Sequence, residues 1–219
     1  MKTNIWAIIP AYNEGKTIAE VLKATKRYVG KIVVVDDGSR DSTVKEAESQ
    51  KVTVLKHALN LGKGCALRTG CDYAVKHGAD ILVVLDADTQ HDPADIPRFL
   101  TALKGSDIVF GSRSLDRNMP IILKFGNWFI NNTTELAYGI ALSDTQSGYR
   151  AFTAEAYKKL RWKSSDYSME SEMIANVGRY KLKYREIFIK TVYADKYKGT
   201  TVLDGVKIVL NMLRWKITK

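Results

Sequence analysis

The order of short apolar runs in the first 110 residues constrains the fold more than any other feature. Residues 5–9, 32–35, 52–55, 81–85 and 108–110 each read as a strand. The runs 32–35 and 81–85 show no polar alternation, as strands covered on both faces should not. Helical spacing falls between them. Ile18, Val21, Leu22 and Val29 keep one face, and residues 64–76 and 93–104 read as helices. Strand and helix alternating in this way predict an α/β fold, a mainly parallel central sheet with helices on both sides.

Past residue 110 the pattern changes. Residues 121–138 are long, aromatic and amphipathic; 153–160 and 168–180 read as helices, 181–193 as a strand, and 202–217 as a helix with basic ends. No internal repeat or low-complexity linker separates the parts. The expectation is one domain over residues 1–219: a nucleotide-type half (1–112) and an acceptor half (113–219) that closes on an amphipathic C-terminal helix.

Three of the strands run into polar clusters: PAYNE after the first, DDGSRD after the second, DADTQH after the fourth. A parallel sheet puts these on one rim, and open α/β sheets bind ligands beyond the carboxyl ends of their strands. Asp86, Asp88 and Gln90 alternate, so an extended backbone would project all three to one side. Hard oxygen ligands in that number suit Mg²⁺ or Mn²⁺, which commonly pair one or two carboxylates with substrate phosphates. A metal–diphosphate unit is the expected ligand. The alternative is a polar loop whose aspartates cap the helix starting near Pro93.

Asp36 and Asp37 fit either a turn or a carboxylate that accepts from a nucleobase N–H or a ribose hydroxyl. Tyr12 could stack on the base or pack in the core. Glu14 could serve the site or favour the first turn of a helix. Gly15-Lys16-Thr17 resembles the end of a P-loop, but Pro10 stands where that loop needs glycine, and no G-x-G-x-x-G follows the first strand. Gly62, Lys63 and Gly64 could bring backbone N–H groups and a cation to a phosphate, or simply start a helix.

The net charge is +10 over 219 residues. Such a surplus favours an anionic partner, whether nucleic acid, phospholipid surface or phosphorylated substrate. The two cysteines, Cys65 and Cys71, would lie roughly 9 Å apart along one helix, too far for a disulfide. That fits a reducing, cytoplasmic setting. The N-terminal stretch is too short in apolar length for a signal peptide. No run approaches the ~20 apolar residues that span a bilayer, so the expectation is a soluble or peripheral protein.

The set PAYNE, VVVDDGSRDST, NLGKGCALRTG, LDADTQHDP, GSR and DTQSGYRAF resembles family 2 glycosyltransferases, within them the dolichol-phosphate mannosyltransferase and polyprenyl-phosphate glycosyltransferase group. The resemblance implies a GT-A (Rossmann-like) fold and inverting transfer of a hexose, mannose or glucose, from a GDP- or UDP-sugar to a polyprenyl or dolichyl phosphate. It implies that Pro10, Tyr12, Glu14, Asp36 and Asp37 surround the nucleoside, with Lys63 and Asp86 also on the donor. Asp86, Asp88 and Gln90 would hold Mg²⁺ or Mn²⁺. Arg113, Ser147 and Arg150 would face the acceptor phosphate, joined by Lys196 and Lys198 from a segment that departs from the family pattern. Asp88, Arg113 and Arg150 would be the catalytic set.

The chemistry agrees with a phosphate acceptor. A phosphate monoester is already ionised near neutral pH and needs no strong base, but it needs cations against the donor diphosphate. Arg113, Arg117, Arg150, Lys196 and Lys198 supply them. A hydroxyl acceptor would want a base, with Asp144 or Glu170 as candidates. Residues 121–138 and 202–219 combine apolar faces with Lys, Arg and Trp, which suits an interfacial helix as well as one packed on the sheet. A membrane surface or a membrane protein partner is therefore expected. Transfer to a soluble or glycan acceptor, nucleotidyl transfer and a basic nucleic-acid-binding module are the other readings; the acidic rim argues against nucleic acid.

Overall fold

The computed structural model describes residues 3–113, 131–166, 168–190 and Asn211. Among them are seven strands: β1 (Ile5–Ala11), β2 (Lys31–Asp36), β3 (Thr53–Lys56), β4 (Ile81–Val84), β5 (Ile108–Arg113), β6 (Arg150–Thr153) and β7 (Tyr184–Ile189). The helices are α1 (Ile18–Thr25), α2 (Thr43–Ser49), α3 (Lys63–Lys76), α4 (Ile96–Leu103), α5 (131–138), α6 (Ala154–Leu160) and α7 (Ser168–Arg179). All seven strands form one sheet in the order β3-β2-β1-β4-β6-β5-β7.

The sheet is mainly parallel, as the alternation predicts. Its departure is β6, which pairs antiparallel with both β4 and β5. The sequence pattern marks a helix from residue 153 but no element over 150–152, where this strand runs. Four residues, RAFT, give little periodicity, and the strand exists because it fills the gap between two neighbours distant in sequence. Its reversed direction carries the preceding loop, residues 139–149, back to the carboxyl-end rim of the parallel strands.

Both faces of the sheet are buried. Trp6, Ile8, Val33, Val35, Leu82, Val84, Phe110 and Phe152 point to the side covered by α3, α6 and α7. Ala7, Ile9, Val34, Val83, Leu85, Val109 and Ala151 point to the side covered by α1, α2 and α4. That is why the strands read as unbroken apolar runs. Helix α3 lies close to the sheet because Gly70 has no side chain: a Cβ there would stand 2.5 Å from Ile8 Cγ2. Both cysteines lie on this helix and are free thiols.

Three boundaries differ from expectation. Strand β1 runs through Pro10 to Ala11, with Pro10 in register with Val35 of β2. Ile8 and Pro10 face β4, whose ladder with β1 ends at Ile8 and Val84, so the missing proline N–H costs no sheet bond. Helix α1 stops at Thr25, short of Val29, and a 3₁₀ turn at Pro93–Asp95, capped by the Asp92 carboxylate, precedes α4. Among the described residues no helix is long and apolar enough to cross a membrane. The expected helix over 202–217, most of the segment 121–138, and Arg117, Trp128, Lys196 and Lys198 lie outside the described residues.

Candidate active site

The ends of β1, β2, β4 and β5 and the start of β6 meet on one rim, which brings Asp86, Asp88, Lys63 and Arg113 together. The loop after β4 is its centre. Its backbone is not extended: Thr89 adopts φ of 65°, and Asp88 closes a turn by accepting from the Gln90 N–H (3.1 Å) and side-chain amide (2.8 Å). The expected alternation therefore gives way to a bend, yet Asp88 and Gln90 still face each other. His91, buried with its ring tilted against Tyr149 at 4.9 Å, accepts the Asp86 N–H at Nδ1. Burial lowers the His91 pKa, so the ring stays neutral and braces the loop.

Asp86 and Asp88 carry opposite shifts. Burial alone would raise Asp86, but the Lys63 ammonium 2.9 Å away outweighs it, with help from Arg113, and holds the carboxyl at about 2. Asp88 is raised, first by burial and next by the Asp86 charge, with a smaller push from Glu14. Two acids that repel each other on the rim form a favourable place for a cation. Among the described residues no three His, Cys, Asp or Glu side chains form a ready metal cage. The donor set, two carboxylates and an amide, instead fits a hard divalent ion that completes its shell with water and substrate phosphate, as Mg²⁺ does.

Lys63 also reaches Glu170 Oε1 at 3.4 Å. Glu170 is buried near the start of α7, and its Oε2 has no hydrogen-bond partner. Burial raises its pKa, partly offset by Lys63 and Arg150. Gly148 packs against this group: a Cβ there would lie 2.9 Å from Lys63 Nζ and 3.0 Å from Asp86 Oδ2. The glycine stood in plain view inside QSGYR, but its role needs the contact to be seen. Gly148→Ala is expected to lower activity at this site at least about tenfold while moving the melting temperature little, because the intruding methyl meets two polar side chains at the rim. Activity and melting curves of the variant check this.

Arg113, at the end of β5, grips Asp144 with Nε (2.6 Å) and Nη2 (3.1 Å). Asp144 is thereby committed to an ion pair and is almost wholly buried. Tyr12 is half-exposed on the rim, with its ring accessible. Glu14 donates its N–H to Thr43 (2.8 Å), and Asp36 accepts from the Ser39 N–H through Oδ2 while its buried Oδ1 has no partner.

Three expectations need correction. The Asp37 carboxylate does not face the rim: it accepts from His57 Nδ1 or shares its proton (2.7 Å), and takes the Leu61 and Gly62 N–H groups (3.0 and 2.8 Å). It ties down the turn before α3. For the same reason the Gly62 and Gly64 N–H groups cannot cradle a phosphate. Gly62 donates to Asp37 and Gly64 to the Ser165 carbonyl (2.8 Å), which leaves the Lys63 side chain as that turn's contribution. Arg150, expected to face the acceptor phosphate, is turned inward as well. It is 2% exposed, and its guanidinium donates to the carbonyls of Ser147, Glu170 and Thr145 at 3.1–3.2 Å while lying 5.1 Å from the Phe110 ring. Burial lowers its pKa to about 10, so it remains a cation that pins the 144–148 loop to α7. Ser147 is buried in the same loop.

A further residue, not anticipated from the sequence, shapes this region. Glu172 accepts from the backbone N–H groups of Lys163 and Ser164 (3.0 and 2.9 Å) and so fixes the loop whose Ser165 carbonyl holds Gly64.

The family model described as "Glycosyl transferase family 2" matches residues 6–161. The chain is 37% identical to a UDP-N-acetylglucosamine–dolichyl-phosphate N-acetylglucosaminyltransferase of Methanococcus voltae, over 98% of this chain and 97% of that protein. It is 29% identical to an undecaprenyl-phosphate mannosyltransferase of Micrococcus luteus, over 96% and 93%. Among solved structures, glucosyl-3-phosphoglycerate synthase of Mycobacterium tuberculosis with phosphoglyceric acid superposes with a TM-score of 0.76 at 18% identity, covering 99% of this chain and 79% of that one. The same enzyme with Mn²⁺, UDP and phosphoglyceric acid gives 0.72 at 19% identity, covering 98% and 78%. The fold is thus the GT-A fold of these neighbours.

Proposed function

The chain belongs to glycosyl transferase family 2, and from that premise we propose that it transfers a hexosyl unit from a nucleotide sugar to a polyprenyl or dolichyl phosphate. The observation that carries this reading is the pairing of the Asp86–Asp88 acids with Lys63 and Arg113 on one rim. Acids suit a divalent ion; cations beside them suit two phosphate-bearing substrates. Mg²⁺ or Mn²⁺ would be held by Asp86, Asp88 and Gln90, and when bound would offset charge on the departing nucleoside diphosphate.

The chain's own residues divide the remaining work. Tyr12 offers a face for the base, with Pro10, Glu14 and Asp36 around it. Asp37 acts one step back, holding the turn that aims Lys63 at the donor phosphates. Arg113 meets the acceptor phosphate with Asp144 fixing its guanidinium plane; Arg117, Lys196 and Lys198 are proposed to add charge there. Neither candidate base is exposed to an acceptor hydroxyl: Asp144 is clasped by Arg113, and Glu170 is buried beside Lys63. That favours a nucleophile already ionised, a phosphate monoester. A lipid acceptor implies work at a membrane surface from its cytoplasmic side, which the net charge of +10 favours where the lipid is anionic.

The names of relatives leave the donor to experiment: one carries UDP-N-acetylglucosamine, another mannose. Mannose and glucose donors belong in the same test. Calorimetric titration with UDP and with GDP, each with and without Mn²⁺, is expected to show one nucleotide binding at least about tenfold tighter when the metal is present. Binding of neither at millimolar concentration would overturn the donor-site assignment.

A further inference from the structure

The geometry points to Lys63 as a positioning residue that couples metal binding to diphosphate binding, by occupying Asp86 until an incoming anion draws it away. This rests on the reading of Asp86 and Asp88 as metal ligands. Lys63 Nζ sits 2.9 Å from Asp86 Oδ1. An ammonium and a divalent ion repel each other and compete for the same carboxylate oxygen, so metal entering alone must break this ion pair.

Glu170 gives the displaced ammonium somewhere to go. It lies 3.4 Å from Lys63, is buried, and keeps one carboxylate oxygen without a partner. Lys63 therefore has two acids within reach, and one of them is not a proposed metal ligand. The missing side chain of Gly148 leaves room for the shift, since a Cβ there would press on both Lys63 and Asp86. The turn bearing Lys63 is held by Asp37 and Ser165, so the movement is confined to the flexible side chain. When a donor diphosphate arrives, it supplies the ammonium with a stronger partner and frees Asp86. Metal and nucleotide then bind better together than apart, and by linkage each tightens the other by the same factor.

The test counts free Mn²⁺ by electron paramagnetic resonance, using the whole chain with and without the nucleotide selected by calorimetry. Lys63→Met should bind Mn²⁺ alone about tenfold tighter than wild type, and the nucleotide-induced tightening should shrink by about the same factor. Lys63→Gln serves as the second variant should methionine disturb α3. Glu170→Gln should weaken Mn²⁺ binding in the absence of nucleotide, and that loss should vanish in the Lys63→Met background. Wild-type affinity and wild-type synergy in both Lys63 variants would overturn the inference. So would a gain of equal size with and without nucleotide, which is what loss of a nearby charge alone would give. If wild type takes up no Mn²⁺ even with nucleotide, the metal-site reading fails first and the inference falls with it.

Discussion

Asp88→Asn is expected to lower glycosyl transfer by about a thousandfold while the protein stays folded. Asparagine keeps an acceptor for the Gln90 N–H that closes the turn at Thr89, so the loop should survive. What disappears is one of two negative charges facing the metal and diphosphate. The melting temperature should move by no more than about 2 °C, because the carboxylate is held in a repulsive pair that burial and Asp86 both disfavour. Removing that repulsion can even stabilise the unliganded chain. Transfer within tenfold of wild type, with Mn²⁺ binding intact, would show that Asp88 is not a ligand.

Arg150→Met is expected to act in the opposite way, through stability. The substitution removes the donors to three buried carbonyls, those of Thr145, Ser147 and Glu170, in a place water cannot reach. Unpaired buried acceptors of this kind should cost about 4 kcal/mol in total, or on the order of 10 °C in melting temperature for a chain this size. Chemical denaturation and thermal melting measure this directly. Arg150→Lys should also lose stability, since an ammonium cannot reproduce the planar fork. A variant that melted like wild type but failed to use the acceptor would restore Arg150 to the phosphate.

These two residues show what the sequence could and could not convey. Asp86 and Asp88 end an unbroken apolar run, and a parallel sheet leaves such acids only one place to go, its rim. The strands on either side were legible for the same reason: both faces are buried, so the run 81–85 carries no polar position. Arg150 and Asp37 carry equally suggestive motif contexts, yet both turn inward. Most of their partners are backbone groups 3 to 25 residues away, and no local pattern encodes which carbonyl or N–H will be presented. Strand β6 was hidden likewise, since only its insertion between β4 and β5 makes RAFT a strand. The bend at Thr89 depends on an Asp88–Gln90 turn that an alternating pattern does not exclude.

Transfer to a polyprenyl phosphate is the reaction on which the assigned roles of these residues depend. It is tested most directly by incubating the chain with Mn²⁺, a radiolabelled nucleotide sugar and a short polyprenyl phosphate in detergent, then partitioning the products between butanol and water. UDP-N-acetylglucosamine, UDP-glucose and GDP-mannose are the donors to try. Label is expected in the butanol phase from one of them, matched by release of the nucleoside diphosphate and abolished by Asp88→Asn. Label that stays in water when a soluble phosphorylated or glycan acceptor is supplied, with none in butanol from any donor, would contradict it.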